Sequence, residues 1–309
     1  MSDNPGMKKE IGIVGLGKMG AGIARRLLEK GWTVHGYDAN AAAMQELSAE
    51  GIRAAASPAA LAEGLQAPRL VWLMVPAGKI VEDVLFGANG LAGALSPGDS
   101  IIDGGNSYYK DSIERAKKLE ALGLTYIDVG FSGGPAGARK GGCLMIGGDE
   151  ATFTAYEPLF SDLAVEGGYQ FFKGAGAGHF VKMVHNGIEY GMMQSLGEGF
   201  AILKASPFSL DLARVADIYN HKSVIESRLV GWLADAFKQS GEDLSDISDT
   251  VAHSGEGEWT VKTARELGVE AKVIEESFQF RVRSREHPSF IGKVVSALRG
   301  QFGGHSVKK

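Results

Sequence analysis

The chain is predicted to be an α/β protein in which an N-terminal Rossmann-type, doubly wound sheet is followed by an all-helical domain. Three observations predict this. Short apolar runs alternate with helical patterns through the first half, the rhythm of βαβ units and a parallel sheet. The turn Gly15-Leu16-Gly17-Lys18-Met19-Gly20 closes the first of those runs. Beyond Gly174-Ala-Gly-Ala-Gly178 strand alternation stops and long helical periodicities take over.

Taken in order, the expected strands are residues 10–15, 33–38, 69–75, 100–104 and 125–130, with helices between them. A strand at 143–147, a helix at about 149–163 and an edge strand at 169–173 complete the first domain. A long helix over 179–204 opens the second. The expected division is residues 1–178 for the dinucleotide-binding domain and 179–298 for the helical domain, with 299–309 as a basic, Gly-containing tail that does not fold alone.

The 309 residues are 44% apolar and 22% charged, the composition of a globular protein, and 44 glycines in clusters point to tight turns and close backbone approach. A net charge of −5 argues against a nucleic-acid partner, because no broad basic surface is available to neutralise phosphates. No run of about 18 apolar residues suggests a membrane span, and the polar start does not resemble a signal peptide. One cysteine, Cys143, rules out an intrachain disulfide and fits the reducing cytoplasm. Its apolar, Gly-rich surroundings predict a buried structural thiol. The seven histidines show no metal-ligand spacing, so no metal site is expected.

The glycine turn falls where a dinucleotide fingerprint must, between the first strand and the first helix. The first glycine permits the turn and the second lets the backbone approach a pyrophosphate. The third allows close helix–strand packing, and the helix N-terminus offers unpaired N–H donors to the anion. Asp38 ends the second strand about 20 residues further on, as the motif expects. A carboxylate there accepts hydrogen bonds from ribose hydroxyls and repels a 2′-phosphate, and Ala39-Asn40-Ala41 offers no arginine. NAD is therefore the expected cofactor. The plainer alternative makes Asp38 the N-cap of the next helix.

The segment Lys182-Met-Val-His185-Asn186-Gly-Ile-Glu189-Tyr190 packs an amine, an amide, a carboxylate and a phenol into little more than two helical turns. At about 100° per residue, Lys182, Asn186 and Glu189 share one face, with His185 and Tyr190 at its margins. Val181, Val184, Ile188 and Met192 fall on the neighbouring face, at the spacing of a core-facing stripe. Gly130-Phe-Ser132-Gly133-Gly134 matches the GxSxG elbow of serine hydrolases. That elbow requires a helix directly after the serine, and the Gly- and Pro-rich residues that follow are not expected to form one. Backbone at Ser132 to Gly134 is better suited to hold a substrate carboxylate.

Asp103-Gly-Gly-Asn106-Ser, Phe131-Ser132-Gly133-Gly134 with Gly137-Ala-Arg, and the Lys182 segment together resemble the decarboxylating 6-phosphogluconate dehydrogenases, in their short form. The likeness runs from the fingerprint to Arg299-Gly-Gln-Phe-Gly-Gly-His305. Related β-hydroxyacid dehydrogenases such as 3-hydroxyisobutyrate dehydrogenase share the architecture, but tend to carry Ser-Thr where this chain has Gly105-Asn106. The resemblance implies oxidation at C3 of 6-phosphogluconate with NAD, loss of CO2 and protonation to ribulose 5-phosphate, in gluconate use and the pentose phosphate pathway. It assigns Lys182 as general base and acid, and Glu189 as the acid that protonates C1. A base must be neutral in the reactive complex, against an ordinary lysine pKa of about 10.4.

By the same resemblance Asn106, Ser132, Gly133, Gly134, His185 and Asn186 orient substrate, while Tyr190, Thr260 and Arg281 hold its phosphate. Arg299 and His305 correspond to tail residues reaching a neighbouring subunit's site, which implies a homodimer or homotetramer. Val75, Pro76 and Asn106 join the glycine turn and Asp38 around NAD. A departure stands at Glu258, where the family usually has Lys or Arg; a carboxylate there is unfavourable beside a phosphate. A different aldonate or small hydroxyacid is the alternative substrate, and a catalytically silent dinucleotide sensor the alternative class.

Overall fold

A computed structural model describes residues 8–304, 307 and 308. The chain divides into two compact units after Lys182, inside its longest helix.

The first unit alternates strands and helices: β1 (Glu10–Val14), α1 (Lys18–Glu29), β2 (Thr33–Tyr37), α2 (Ala41–Ala49), β3 (Arg53–Ala54), α3 (Pro58–Glu63), β4 (Leu70–Leu73) and α4 (Lys79–Phe86). There follow β5 (Ser100–Asp103), α5 (Tyr109–Glu120), β6 (Thr125–Ser132), α6 (Gly134–Lys140), β7 (Gly142–Gly148), α7 (Glu150–Leu163) and β8 (Ala164–Lys173). The strands form one sheet in the order β3-β2-β1-β4-β5-β6-β7-β8. All neighbours are parallel except β6 and β7. The order reverses between β1 and β4, the switch point where doubly wound sheets open a crevice for ligands.

Both faces of this sheet are buried, as βαβ crossovers require. Ile11, Ile13, Trp72 and Ile102 point into one core with Ile23, Leu27 and Phe160. Val14, Val71, Leu73 and Ile101, on alternate positions, point into the other with Leu61, Leu85 and Leu119. This two-sided burial explains why the strands read as continuous apolar runs.

The second unit is helical: most of α8 (Ala177–Ala205), then α9 (Leu212–Tyr219), α10 (Arg228–Ser240), α11 (Glu256–Glu266), α12 (Lys272–Arg283) and α13 (Phe290–Gly303). Its core gathers Met193, Phe200, Leu233, Phe237, Val294 and Leu298. Ser227 and Ser289 cap α10 and α13 by accepting from Val230 N and Gly292 N at 3.2 and 3.1 Å. No helix among the described residues is long and apolar enough to cross a membrane, and no group of three metal-ligating side chains occurs there.

Several expectations need correction. A helix, α6, does follow Ser132. Pro135 stands in its first turn, where a missing N–H costs nothing, and Gly133 supplies the φ of +125° that starts it. Cys143 is exposed, because Leu144 and Ile146 take the core face of β7 and Cys143 points the other way. β3 was not foreseen: two exposed residues carry no alternation to read. The stripe Val181, Val184, Ile188, Met192 is not the core face of α8, since Ile188 is 53% and Met192 44% exposed. The buried face instead carries Met183, Gly187, Tyr190, Gly191 and Met193. The tail does not begin at residue 299: α13 continues to Gly303, and Ser248 N donates to Val307 O of the same chain at 2.8 Å.

Candidate active site

The three fingerprint glycines have the separate uses expected of them. Gly15 lies at φ +92°, and a Cβ there would stand 2.4 Å from Met74 O. A Cβ on Gly20 would stand 1.9 Å from Gly15 O, so helix α1 can approach the turn only without one. Gly17 has nothing within 4 Å of its Cβ position, and it begins α1 with no side-chain cap. Backbone N–H groups of the first helical turn are thus left for an anion.

Asp38 is tied to this turn. Its Oδ2 accepts from Leu16 N at 2.6 Å and its Oδ1 from Asn40 N at 2.8 Å. The N-cap of α2 is Asn40, which accepts from Ala42 N and Ala43 N, so the capping alternative for Asp38 does not hold. The loop after β5 packs beside that after β4: a Cβ on Gly104 would meet the Trp72 ring at 2.4 Å, and one on Gly105 would meet Val75 O at 2.8 Å. Asn106 and Pro76 are exposed on these loops, at the C-terminal edge of the parallel strands where this fold class binds nucleotides. These residues fit a dinucleotide.

The start of α8 is held by groups the sequence did not announce. Asp128, buried on β6, accepts from Gly176 N at 2.6 Å and from His179 N at 2.7 Å. His179 Nδ1 lies 2.7 Å from Ser112 Oγ. Burial pushes the Asp128 carboxyl up, while His179 and the two backbone donors hold it down. Glycines let the helix close on the sheet: a Cβ on Gly130 would stand 2.2 Å from Lys182 Cβ, and one on Gly178 2.4 Å from Met145 O. Lys182 is thereby fixed against the backbone of β6 and is 8% exposed. Ser132 ends the same strand, and Gly133 and Gly134 turn away from it at φ +125° and +59°.

Further along α8, His185 Nδ1 lies 3.0 Å from Asn186 Oδ1 and 3.9 Å from Glu189 Oε2. Both partners are oxygens, which calls for the proton on Nδ1.

Within the second unit Tyr190 anchors a cation cluster. Arg281, from the last turn of α12, stacks on its ring with Cζ 3.3 Å from the centroid. Arg299 of α13 is buried nearby, and the two guanidiniums repel, each acting on Tyr190 as well. Burial pulls Arg281 down to about 10, still protonated at neutral pH, and pulls Arg299 down as well. Neither has a salt-bridge partner among the described residues; Arg281 Nη2 has only Met193 Sδ at 3.6 Å. Two buried cations with no salt bridge among the described residues are suited to an anion.

Arg299 is buried beside Tyr190 and Arg281 of its own chain; His305 lies outside the described residues. Thr260 is buried, but its hydroxyl is engaged with Met183 O at 2.9 Å and Glu256 O at 2.8 Å, locking α11 onto α8. A Cβ on Gly187 would meet Thr260 Cγ2 at 2.6 Å, so this contact too needs glycine. The acidic departure moves: Glu258 is exposed, whereas Glu256 is buried.

Comparison with known proteins identifies the family. Residues 10–172 match the NAD binding domain of 6-phosphogluconate dehydrogenase, and residues 178–307 match the 6-phosphogluconate dehydrogenase C-terminal domain. The chain is 47% identical over 300 residues to YqeC of Bacillus subtilis (strain 168), a protein assigned provisionally to 6-phosphogluconate dehydrogenase; 97% of this chain and 99% of that one are covered. It is 39% identical, over 97% of its length and 99% of the relative's, to the NAD(+)-dependent, decarboxylating 6-phosphogluconate dehydrogenase of Haloferax volcanii. Among solved structures, 3-hydroxyisobutyrate dehydrogenase from Salmonella typhimurium superposes with a TM-score of 0.77 at 26% identity, over 93% of this chain and 98% of the other. With both domains matched across nearly its whole length, the chain belongs to the 6-phosphogluconate dehydrogenase family of oxidoreductases.

Proposed function

We propose that the chain catalyses NAD-dependent oxidative decarboxylation of 6-phosphogluconate to ribulose 5-phosphate and CO2. The observation that carries this reading is the pair of buried guanidiniums, Arg281 stacked on Tyr190 and Arg299 beside it, with no salt bridge among the described residues, a receptor for a phosphate that a small hydroxyacid would leave unused. When bound, NAD supplies the hydride acceptor. Its pyrophosphate is assigned to the turn of residues 15–20, its ribose to Asp38, and its remaining contacts to Val75, Pro76 and Asn106.

In this reading neutral Lys182 takes the proton of the C3 hydroxyl as the C3 hydride departs. The resulting β-keto acid loses its carboxylate as CO2, and the bond electrons pass to the C3 oxygen, which takes the proton back from Lys182. Glu189 then protonates the carbon that bore the carboxylate while Lys182, neutral again, takes the proton of the C3 enol hydroxyl, and the enediol becomes the ketone. Ser132, Gly133 and Gly134 hold the carboxylate. His185 and Asn186 orient the hydroxyls, with His185 poised by its contacts to Asn186 and Glu189. Tyr190, Arg281 and Arg299 hold the phosphate, and Thr260 is kept with them on resemblance alone. A second copy of the chain is the proposed partner, and the exposed apolar residues Ile188, Met192 and Ile202 are the surface it would cover.

The test follows NADH and CO2 together, with 6-phosphogluconate against unphosphorylated gluconate. Equal yields of both products, with the phosphorylated acid strongly preferred, are expected. NADH without CO2 would favour the second reading, a non-decarboxylating hydroxyacid dehydrogenase, to which the likeness to 3-hydroxyisobutyrate dehydrogenase points.

A further inference from the structure

Helix α11 begins at Glu256 behind Gly255, which lies at φ +103° and gives no side-chain cap. Its first turn carries two carboxylates, Glu256 and Glu258. Acidic groups there complement the helix dipole, and exposed Glu258 does so without leaving water. Glu256 is different. At about 100° per residue it shares the face of Thr260, and both are 5% exposed. Its neighbour Gly257 is pressed on Tyr190, where a Cβ would meet the ring at 2.4 Å. Ser254 Oγ donates to Glu256 Oε2 at 2.7 Å. A buried carboxylate is costly unless opposite charge answers it. Arg281 and Arg299 lie close enough that the charge of Glu256 acts on both, and on Tyr190, as does that of Glu189.

We propose that Glu256 is a specificity-determining residue, which lowers the preference of the Arg281–Arg299 pocket for a doubly charged phosphate over an uncharged substrate end. The proposal deepens the phosphate assignment made above and rests on it. The charge of Glu256 offsets part of the desolvation that burial imposes on the two crowded guanidiniums. The same carboxylate then opposes an incoming phosphate, which carries about −1.5 to −2 at neutral pH. Without Glu256 the two arginines would match that charge; with it, part of their charge is already answered.

The experiment compares the wild type with Glu256→Gln, which keeps the shape and removes the charge, and with Glu258→Gln on the exposed side of the same turn. The first readout is the inorganic phosphate concentration that gives half-maximal protection against thermal unfolding. It should fall by about tenfold in Glu256→Gln, as expected for loss of a close like charge, and by less than about twofold in Glu258→Gln. The second is the ratio of kcat/KM for 6-phosphogluconate to that for gluconate, which should rise by about tenfold in Glu256→Gln only. Unchanged or weaker phosphate protection in Glu256→Gln, or an equal gain in both variants, overturns the proposal. If the wild type oxidises neither sugar acid, the reaction assigned above fails while the phosphate titration still decides the role of Glu256.

Discussion

The glycine turn of the first unit and the arginine cluster of the second are both suited to anions, but they are made of different material. The turn uses backbone alone: Gly15, Gly17 and Gly20 remove side chains so that N–H groups can face a ligand. The cluster uses side chains brought from α8, α12 and α13, two of them guanidiniums held at a desolvation cost. A backbone site has a fixed charge distribution that no single titratable group can retune. A side-chain site can be retuned one residue at a time, as Glu256 and the exposed Glu258 illustrate.

The sharpest way to break this comparison is to silence chemistry while leaving both anion sites intact. Lys182→Ala should lower the rate of NADH formation by about 10³-fold, within the range for loss of a positioned acid–base group. NAD and inorganic phosphate should still protect the variant against heat; retained oxidation would remove Lys182 from the role. Next comes the side-chain site itself. Arg281→Ala should raise KM for 6-phosphogluconate by about 100-fold, the scale of losing a charge-assisted contact. Calorimetric NAD affinity should stay as it was, and a parallel loss of both would mean that the variant is misfolded.

A smaller effect is expected at the root of α8. An amide at position 128 offers one acceptor oxygen where two backbone N–H groups now need one each. Asp128→Asn should therefore cost about 2 kcal/mol in urea unfolding, and a cost near zero would show that the first turn holds without it. Least of all, Asp38→Ala should weaken NAD binding by about fivefold and narrow the NAD-to-NADP ratio of kcat/KM, in keeping with one lost hydrogen-bonding carboxylate. An unaltered ratio would mean that Asp38 serves only the Leu16 turn.

How much of this could be read in the sequence depended on distance along the chain. The fingerprint, Asp38 and the order of strands are local signals, each set by residues within one βαβ unit. The faces of α8 were misjudged because periodicity counts large apolar groups. Its buried face uses Gly187 and Gly191 as points of close approach, while Ile188 and Met192 lie in the open. Helix α6 was missed for a related reason: Gly and Pro oppose helix in its interior but suit its first turn. Asp128 gave no signal, since its partners are backbone groups 48 and 51 residues away. Glu256 could have been found. Once Thr260 is placed in the site, the residue one turn before it shares its face, and that residue is Glu256 rather than Glu258.

Lys182 and Glu189 ride on one uninterrupted helix, α8. Their α-carbons are two turns apart, a spacing of about 10 Å along the axis that no loop movement can alter. On the roles proposed, the helix works as a ruler laid beside the substrate's carbon skeleton, with a mark for each proton transfer. A six-carbon acid anchored at its far end can register with both marks. The two transfers act on neighbouring positions, the C3 oxygen and C2, so the side chains of Lys182 and Glu189 must converge from those marks onto one bond of the substrate.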